Sequence, residues 1–306
     1  MSEDAVPYLV GWPISEWDSD VRAAWLASRV KSRSYTDEVL SKIDALREHF
    51  DVAEYGQIGY AGERYPLLTL KTRDWRDDLP VALVTGGVHG YETSGVQGAL
   101  AFMDAHGGDY AGKINILLAP CVSPWAYERV QRWNAEVLDP NRSFTGQGRT
   151  QEAAALISLV APLQGRVLLH IDLHETTDSD ETEFRPAKAA RDGEVFVPGE
   201  IPDGFYLCGD EKNPQLAFQT AVNAAVAEVT HIAPSDAKGE IIGSPVVAPG
   251  VILYDYKALG LCAGMTDARF TTTTEVYPDS PRTTPRICNA AQVAAVRAAI
   301  DYVLSA

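Results

Sequence analysis

VALVTGGVHGYE, residues Val81–Glu92, runs from an apolar β-rich stretch through a pair of glycines to an imidazole and a carboxylate three residues apart. Val81 to Thr85 reads as a buried strand of parallel type, and Gly86-Gly87 lets the chain turn sharply at its C-terminal end. A helical pattern follows from Glu92 through Ala105. His89 and Glu92 therefore stand at a strand-to-helix junction, the place where open α/β sheets bind ligands. Zn²⁺ takes nitrogen and oxygen ligands of this kind, but two ligands do not make a site.

The chain before this junction carries a helix pattern over 19–28, capped by Asp18 or Ser19, and a second over 37–49, capped by Thr36. Residues 1–14 read as irregular. Val52–Ile58 and Tyr65–Lys71 are close enough in sequence to form a hairpin at one edge of a sheet. After the junction come a buried strand, Ile114–Ala119, and a long segment, Val122–Thr150, rich in Pro, Arg, Asn and Trp. A connection of that length is a functional candidate. Helix 152–161 and strand 166–173 follow. Glu175–Glu183 is acidic and reads as a solvated loop, with attraction of a basic substrate group as the alternative. Extended stretches run on to Gly209. A helix over 215–229, strands Val251–Tyr256 and Arg269–Val276, and a closing helix Asn289–Leu304 complete the pattern. Alternating strands and helices without repeat or linker predict a single α/β domain, a mixed and mostly parallel twisted sheet with helices on both faces.

Composition narrows the class of function. A chain of 306 residues with 46% hydrophobic residues has ample material for one large core. The net charge of −16 argues against nucleic acid or an anionic membrane as partner. No apolar run of membrane length is evident, and MSEDAVPYLVGWP lacks the basic and apolar regions of a signal peptide, so the expected location is cytoplasmic. Cys121, Cys208, Cys262 and Cys288 form no CxxC pair and read as buried free thiols.

The strand RVLLHIDLHE offers a candidate third metal ligand, His174, which alone would read as a polar strand end but gains weight beside His89 and Glu92. His170, Asp172 and His174 alternate and so share a face, and His174 lies at the strand's C-terminal end, as His89 does on its own strand. His170 falls about 13 Å further back at ~3.3 Å per residue, and reads as a core histidine. Glu275, in TTTTEVYP, is a carboxylate inside a β-rich run. It is either a solvent-facing residue of an edge strand or a general base for a zinc-bound water.

Taken together, these residues resemble the zinc carboxypeptidase family, the M14 metallopeptidases, with features of the related succinylglutamate desuccinylase/aspartoacylase branch. His89-x-x-Glu92 and a distant His174 are similar to that family's zinc ligands, and Leu138–Phe144, LDPNRSF, is similar to its D-x-N-R motif. The resemblance implies one Zn²⁺ per chain on His89, Glu92 and His174, with Asp139 orienting His89. It implies that Asn141 and Arg142 hold a substrate carboxylate, that Arg132 steadies the oxyanion, and that Glu275 is the general base. It extends over roughly 35–306, leaving 1–34 as an N-terminal extension packed on the catalytic domain. There are departures: Asp172-Leu-His174-Glu-Thr-Thr is closer to the DLHxTT of the acylase branch, and a mobile active-site tyrosine is not placed. Tyr254 and Tyr256 are nearby candidates, and Ile252 could line a side-chain pocket.

The implied function is a metallocarboxypeptidase acting on small peptides with a free carboxylate. The alternatives are a deacylase of N-acyl amino acids and a non-catalytic binding module on the same fold. A nucleotide-binding reading of Gly86–Gly95 fails, because the stretch has neither the G-x-G-x-x-G spacing nor a Walker lysine.

Overall fold

The structure is a computed structural model that describes residues 17–60 and 62–306, so the irregular stretch expected over 1–14 lies outside the described residues. Helix α1 (Ser19–Ser28) comes first, then a π-turn (Thr36–Leu40) running into α2 (Ser41–Leu46), and the hairpin β1 (Phe50–Tyr60) and β2 (Glu63–Thr72). The central unit is β3 (Val81–Gly86), α3 (Thr93–His106), β4 (Asn115–Ala119), α4 (Pro124–Arg129), α5 (Gln151–Val160) and β5 (Val167–Glu175). Then follow α6 (Arg185–Asp192), β6 (Tyr206–Asp210), α7 (Leu216–Ala227), the small hairpin β7 (Glu240–Ile241) and β8 (Ser244–Pro245), and β9 (Val251–Tyr254). The chain ends with α8 (Tyr256–Leu259), β10 (Phe270–Val276) and α9 (Pro285–Ser305).

Eight strands form one sheet in the order β1-β2-β4-β3-β5-β10-β6-β9. The pairs β4/β3, β3/β5, β5/β10 and β6/β9 are parallel, whereas β1/β2, β2/β4 and β10/β6 are antiparallel. The early hairpin is at one edge, as expected. From β3 the chain crosses to β4 on one side, then returns to place β5 on the other side of β3. That reversal opens a crevice at the C-terminal ends of β3 and β5, where a doubly wound sheet accepts a ligand.

All six residues of β3 are buried, and the alternation of the strand divides them between two cores. Ala82 and Val84 join the cluster that includes Val96, Leu100, Ala295 and Val296 from α3 and α9. Val81 and Leu83 pack with Leu156 and Val160 of α5 on the opposite face. Burial on both faces explains the unbroken apolar run of a parallel strand. Helix α9 is long and apolar enough to span a membrane by length and composition. Its apolar face is nonetheless committed to the core through Ala291, Ala295, Val296, Ala299 and Ile300.

Several local expectations need correction. The helix expected over 37–49 is a π-turn followed by a short α-helix, and its first turn is capped by Ser34 Oγ, which accepts Asp37 N–H at 3.1 Å. Asp18 caps α1, accepting from Asp20 and Val21 at 3.0 and 2.9 Å. RPAKAARD forms α6 where extended chain was expected. In the N-terminal extension, Trp17 and Trp25 are buried and pack against Trp133, edge-to-face and tilted respectively, with centroids 5.9 Å away in each case. All four cysteines are buried and unpaired.

Candidate metal centre

Two glycines shape the junction after β3. Gly87 turns with φ +62°, and a Cβ on Gly90 would lie 2.0 Å from the Ala126 carbonyl carbon, so only glycine lets the loop press against α4. This sets His89 and Glu92 beyond the end of β3, with Glu92 immediately before α3. On the neighbouring strand, His174 occupies the last turn of the pleat of β5 and pairs in register with Glu275 of β10. The long segment 122–150 brings in Arg132, Asp139, Asn141 and Arg142. Val130 and Val137 adopt left-handed backbone within it, at φ 53° and 61°, a strained choice for a β-branched residue of the kind found where a loop serves a site.

His89, Glu92 and His174 are buried together, with one ligand atom from each lying within 4.8 Å of the others. His89 Nδ1 is 2.7 Å from Glu92 Oε1, and His174 Nδ1 is 2.6 Å from Glu92 Oε2. The other nitrogens face carboxylates: His89 Nε2 meets Asp139 Oδ1 at 2.9 Å, and His174 Nε2 meets Asp172 Oδ2 at 2.7 Å. Each imidazole is thus held from behind through Nε2 and presents Nδ1 to Glu92, the arrangement in which outer carboxylates orient metal-ligating histidines. Burial opposes the charged forms, but the carboxylates around His174, Glu92 foremost, hold its pKa well above the ordinary value. Burial likewise opposes ionisation of Glu92, and His174 and then His89 outweigh it, bringing the pKa down to about 2. Two imidazole nitrogens and one carboxylate fit a divalent cation with an open position for a reactant.

The groups around this centre share one cavity of about 610 Å³, lined by His89, Glu92, Arg132, Asp139, Asn141, Arg142, His174 and Glu275 among others. Asp139 bridges two of them, since its Oδ2 accepts from Arg132 Nε at 3.1 Å. Burial works against that carboxylate, but Arg132 and His89 hold it well below the usual range. Arg132 Nη1 also donates to Tyr91 OH at 3.0 Å and to Asp180 at 3.3 Å. Arg142 is exposed to the cavity; its Nη1 donates to the Asn141 carbonyl at 2.7 Å, and it has no carboxylate partner among the described residues. Asn141 is buried, with Oδ1 taken by Cys262 N–H at 2.8 Å and Nδ2 lying 3.4 Å from His174 Nε2.

Glu275 is half-buried on an internal strand, between β5 and β6, so the solvent-facing edge reading is overturned. Thr176 Oγ1 donates to its Oε2 at 2.9 Å, and burial pushes its pKa up to about 8. His170 is wholly buried at the place expected of a core residue, and burial pushes its pKa down to about 4.

Two proposed substrate contacts are not in the cavity. Tyr256 is fully buried in α8, where its hydroxyl donates to the Cys208 carbonyl. Ile252 is covered by Ile241 of the β7–β8 hairpin and packs with Tyr206 and Cys208. The wall beside Arg142 comes instead from Tyr206, Cys208, Ile242 and Tyr254. The solvated-loop reading of Glu175–Glu183 also fails over much of its length. Glu175 is buried and accepts from the first amides of α3, Thr93 N–H at 3.0 Å and Ser94 N–H at 2.8 Å. Asp180 is buried beside Arg132 and accepts from Tyr91 OH at 2.7 Å. Tyr91 and Asp180 carried no assigned role in the sequence. The aromatic Phe184, four residues after Asp180 and 4.6 Å from the Tyr91 ring, is the signal that this acidic run turns inward.

No protein-family profile and no curated protein sequence matches the chain. Solved structures match in fold. A candidate metallopeptidase from Shewanella amazonensis SB2B aligns with a TM-score of 0.67 at 19% identity, over 88% of this chain and 92% of its own. Carboxypeptidase A from Helicoverpa armigera aligns at 0.57 and 14% identity, over 96% and 75%. A metallo-carboxypeptidase from Pseudomonas aeruginosa, in complex with (2-guanidinoethylmercapto)succinic acid, aligns at 0.56 and 14%, over 94% and 70%. The likeness establishes the fold: a mixed α/β sheet of the metallo-carboxypeptidase kind, the one the sequence motifs led us to expect.

Proposed function

We propose that this chain is a zinc-dependent metallocarboxypeptidase that hydrolyses the C-terminal amide bond of a short peptide, cell-wall-derived peptides included. The observation that carries the reading is the shared cavity, in which the two Nδ1 atoms and Glu92 converge beside Glu275, Arg132 and Arg142, an arginine without a carboxylate partner among the described residues. When bound, zinc supplies a Lewis acid for the carbonyl oxygen and lowers the pKa of a water. Glu275 takes a proton from the attacking water and delivers it to the leaving nitrogen as the C–N bond breaks. Arg132 donates to the oxygen that gains charge, a contribution typically worth about 3 kcal/mol. Arg142 meets the terminal carboxylate with its planar fork, which fixes the scissile bond relative to Glu275. Asn141 contributes its amide nitrogen alone, because Cys262 N–H already occupies its oxygen.

The test is metal content of the purified protein followed by hydrolysis of short peptides with free or amidated C-termini, alongside N-acyl amino acids. The expectation is about one zinc per chain and turnover of free-carboxylate peptides. Arg142→Ala should lower kcat/KM roughly 10–100-fold on these, the worth of a hydrogen-bonded charge pair. Preference for N-acyl amino acids would move the assignment to the deacylase suggested by Asp172–Thr177, DLHETT. A wild type that binds no zinc and turns over neither class would leave a binding module on this fold.

A further inference from the structure

Behind the metal centre lies a chain of buried polar groups that the proposed reaction does not use. Thr85 of β3 and Asp172 of β5 are register partners on adjacent parallel strands. Thr85 Oγ1 donates to Asp172 Oδ1 at 2.6 Å, while Asp172 Oδ2 meets His174 Nε2 at 2.7 Å. His170 Nε2 lies 3.1 Å from Thr85 Oγ1, behind the hydroxyl. Thr266 Oγ1 lies 3.4 Å from His170 Nδ1 and closes the series. Thr85, His170 and Asp172 have no solvent exposure and His174 has 1%, so water cannot stand in for any of these partners.

We propose that Thr85, backed by His170, is a positioning residue that acts through Asp172 to keep His174 Nδ1 directed at the metal. The inference rests on the metal-centre reading above. A carboxylate turns easily about its last torsion, so one anchored oxygen is needed to fix where the other points. The two histidines solve this differently. Asp139 is anchored by Arg132 on one oxygen and by Asn141 N–H, at 2.8 Å, on the oxygen that serves His89. Asp172 has a neutral hydroxyl on its second oxygen. Ordering of a ligand by such outer partners is commonly worth 10–100-fold in metal affinity.

The experiment is competition between the protein and a chelator for Zn²⁺, repeated with Co²⁺ while its visible spectrum is recorded. Thr85→Val removes the hydroxyl at nearly constant volume and is expected to weaken zinc binding roughly 10–100-fold. Thr85→Ser restores the hydroxyl and should return affinity to within about threefold of wild type, with the wild-type cobalt spectrum. If Thr85→Val does not fold, Asp172→Asn serves, since Thr85 and His174 meet different oxygens of Asp172 and the amide replaces one of these with an NH2 that cannot accept; it should lose at least as much. Wild-type affinity in Thr85→Val or in Asp172→Asn overturns the proposal. So does a Thr85→Ser variant as weak as Thr85→Val, which would assign the loss to packing. A wild type that binds neither ion refutes the metal centre itself, an outcome distinct from all of these.

Discussion

Glu275 and His174 lie side by side in register on the parallel strands β10 and β5, so the proposed base and a proposed ligand are held by the same ladder of backbone hydrogen bonds. Both side chains line the same cavity, so the base is carried by the sheet rather than by a loop. Glu275→Gln should keep its metal and its fold but lose about 10²–10⁴-fold in kcat, the usual worth of a general base. The sign of the pH effect follows from its protonation. The base works when ionised, so kcat/KM rises with pH on the acid side. Burial pushes the Glu275 pKa up to about 8 in the absence of a cation, and a bound divalent ion lowers it, so the midpoint should fall below 8. Steady-state kinetics across pH, with metal content measured on the same samples, would sink the assignment if the glutamine variant kept its turnover.

Most of this centre was legible because its residues sit where local rules are strict. A strand end followed by glycines locates His89 and Glu92, and the alternation of β5 separates His174 at the rim from His170 in the core. The failures are tertiary. Ile252 and Tyr254 share a face of β9, yet the β7–β8 hairpin covers the first and leaves the second at the cavity. Asp255 caps α8 by accepting Ala258 N–H, which ends the strand and turns Tyr256 into the core. Asp180 departs from the solvated behaviour usual for an acidic run because Arg132 and Tyr91, partners distant in sequence, compensate its burial.

Glu152, in the first turn of α5, is a buried carboxyl outside the proposed chemistry. Its Oε2 accepts from Tyr60 OH at 2.8 Å and Asn134 Nδ2 at 3.2 Å, while the buried Oε1 has no partner among the described residues. Burial foremost raises its pKa above the ordinary 4.5. The folded state therefore binds this proton more tightly than the unfolded chain does. The stabilisation it brings is complete below pH 4.5 and is lost as pH rises through the folded value. Glu152→Gln is neutral at every pH, so it should match wild type in acid and melt higher than wild type at pH 8. Thermal melts from pH 4 to 8 check this; parallel curves for the two proteins would mean that Glu152 does not titrate with folding.

Ile242 and Gly243 form the two-residue turn between β7 and β8, with φ 45° and 77°. Positive φ at both positions is the geometry that favours Asn-Gly, and a β-branched residue in the first position is strained by roughly 1–2 kcal/mol. Ile242 nevertheless stays 40% exposed and lines the cavity near Tyr254. Strain retained at an exposed apolar side chain is understandable if the side chain meets the substrate. Ile242→Asn should therefore raise the melting temperature by about 2 °C through relief of the backbone. The same change should raise KM for peptides ending in an apolar residue by roughly 3–10-fold, the worth of about one lost methylene contact. A peptide ending in glycine should show no such increase. If the melting temperature rises while KM for both peptides stays put, the strain is real but the turn does not touch the substrate.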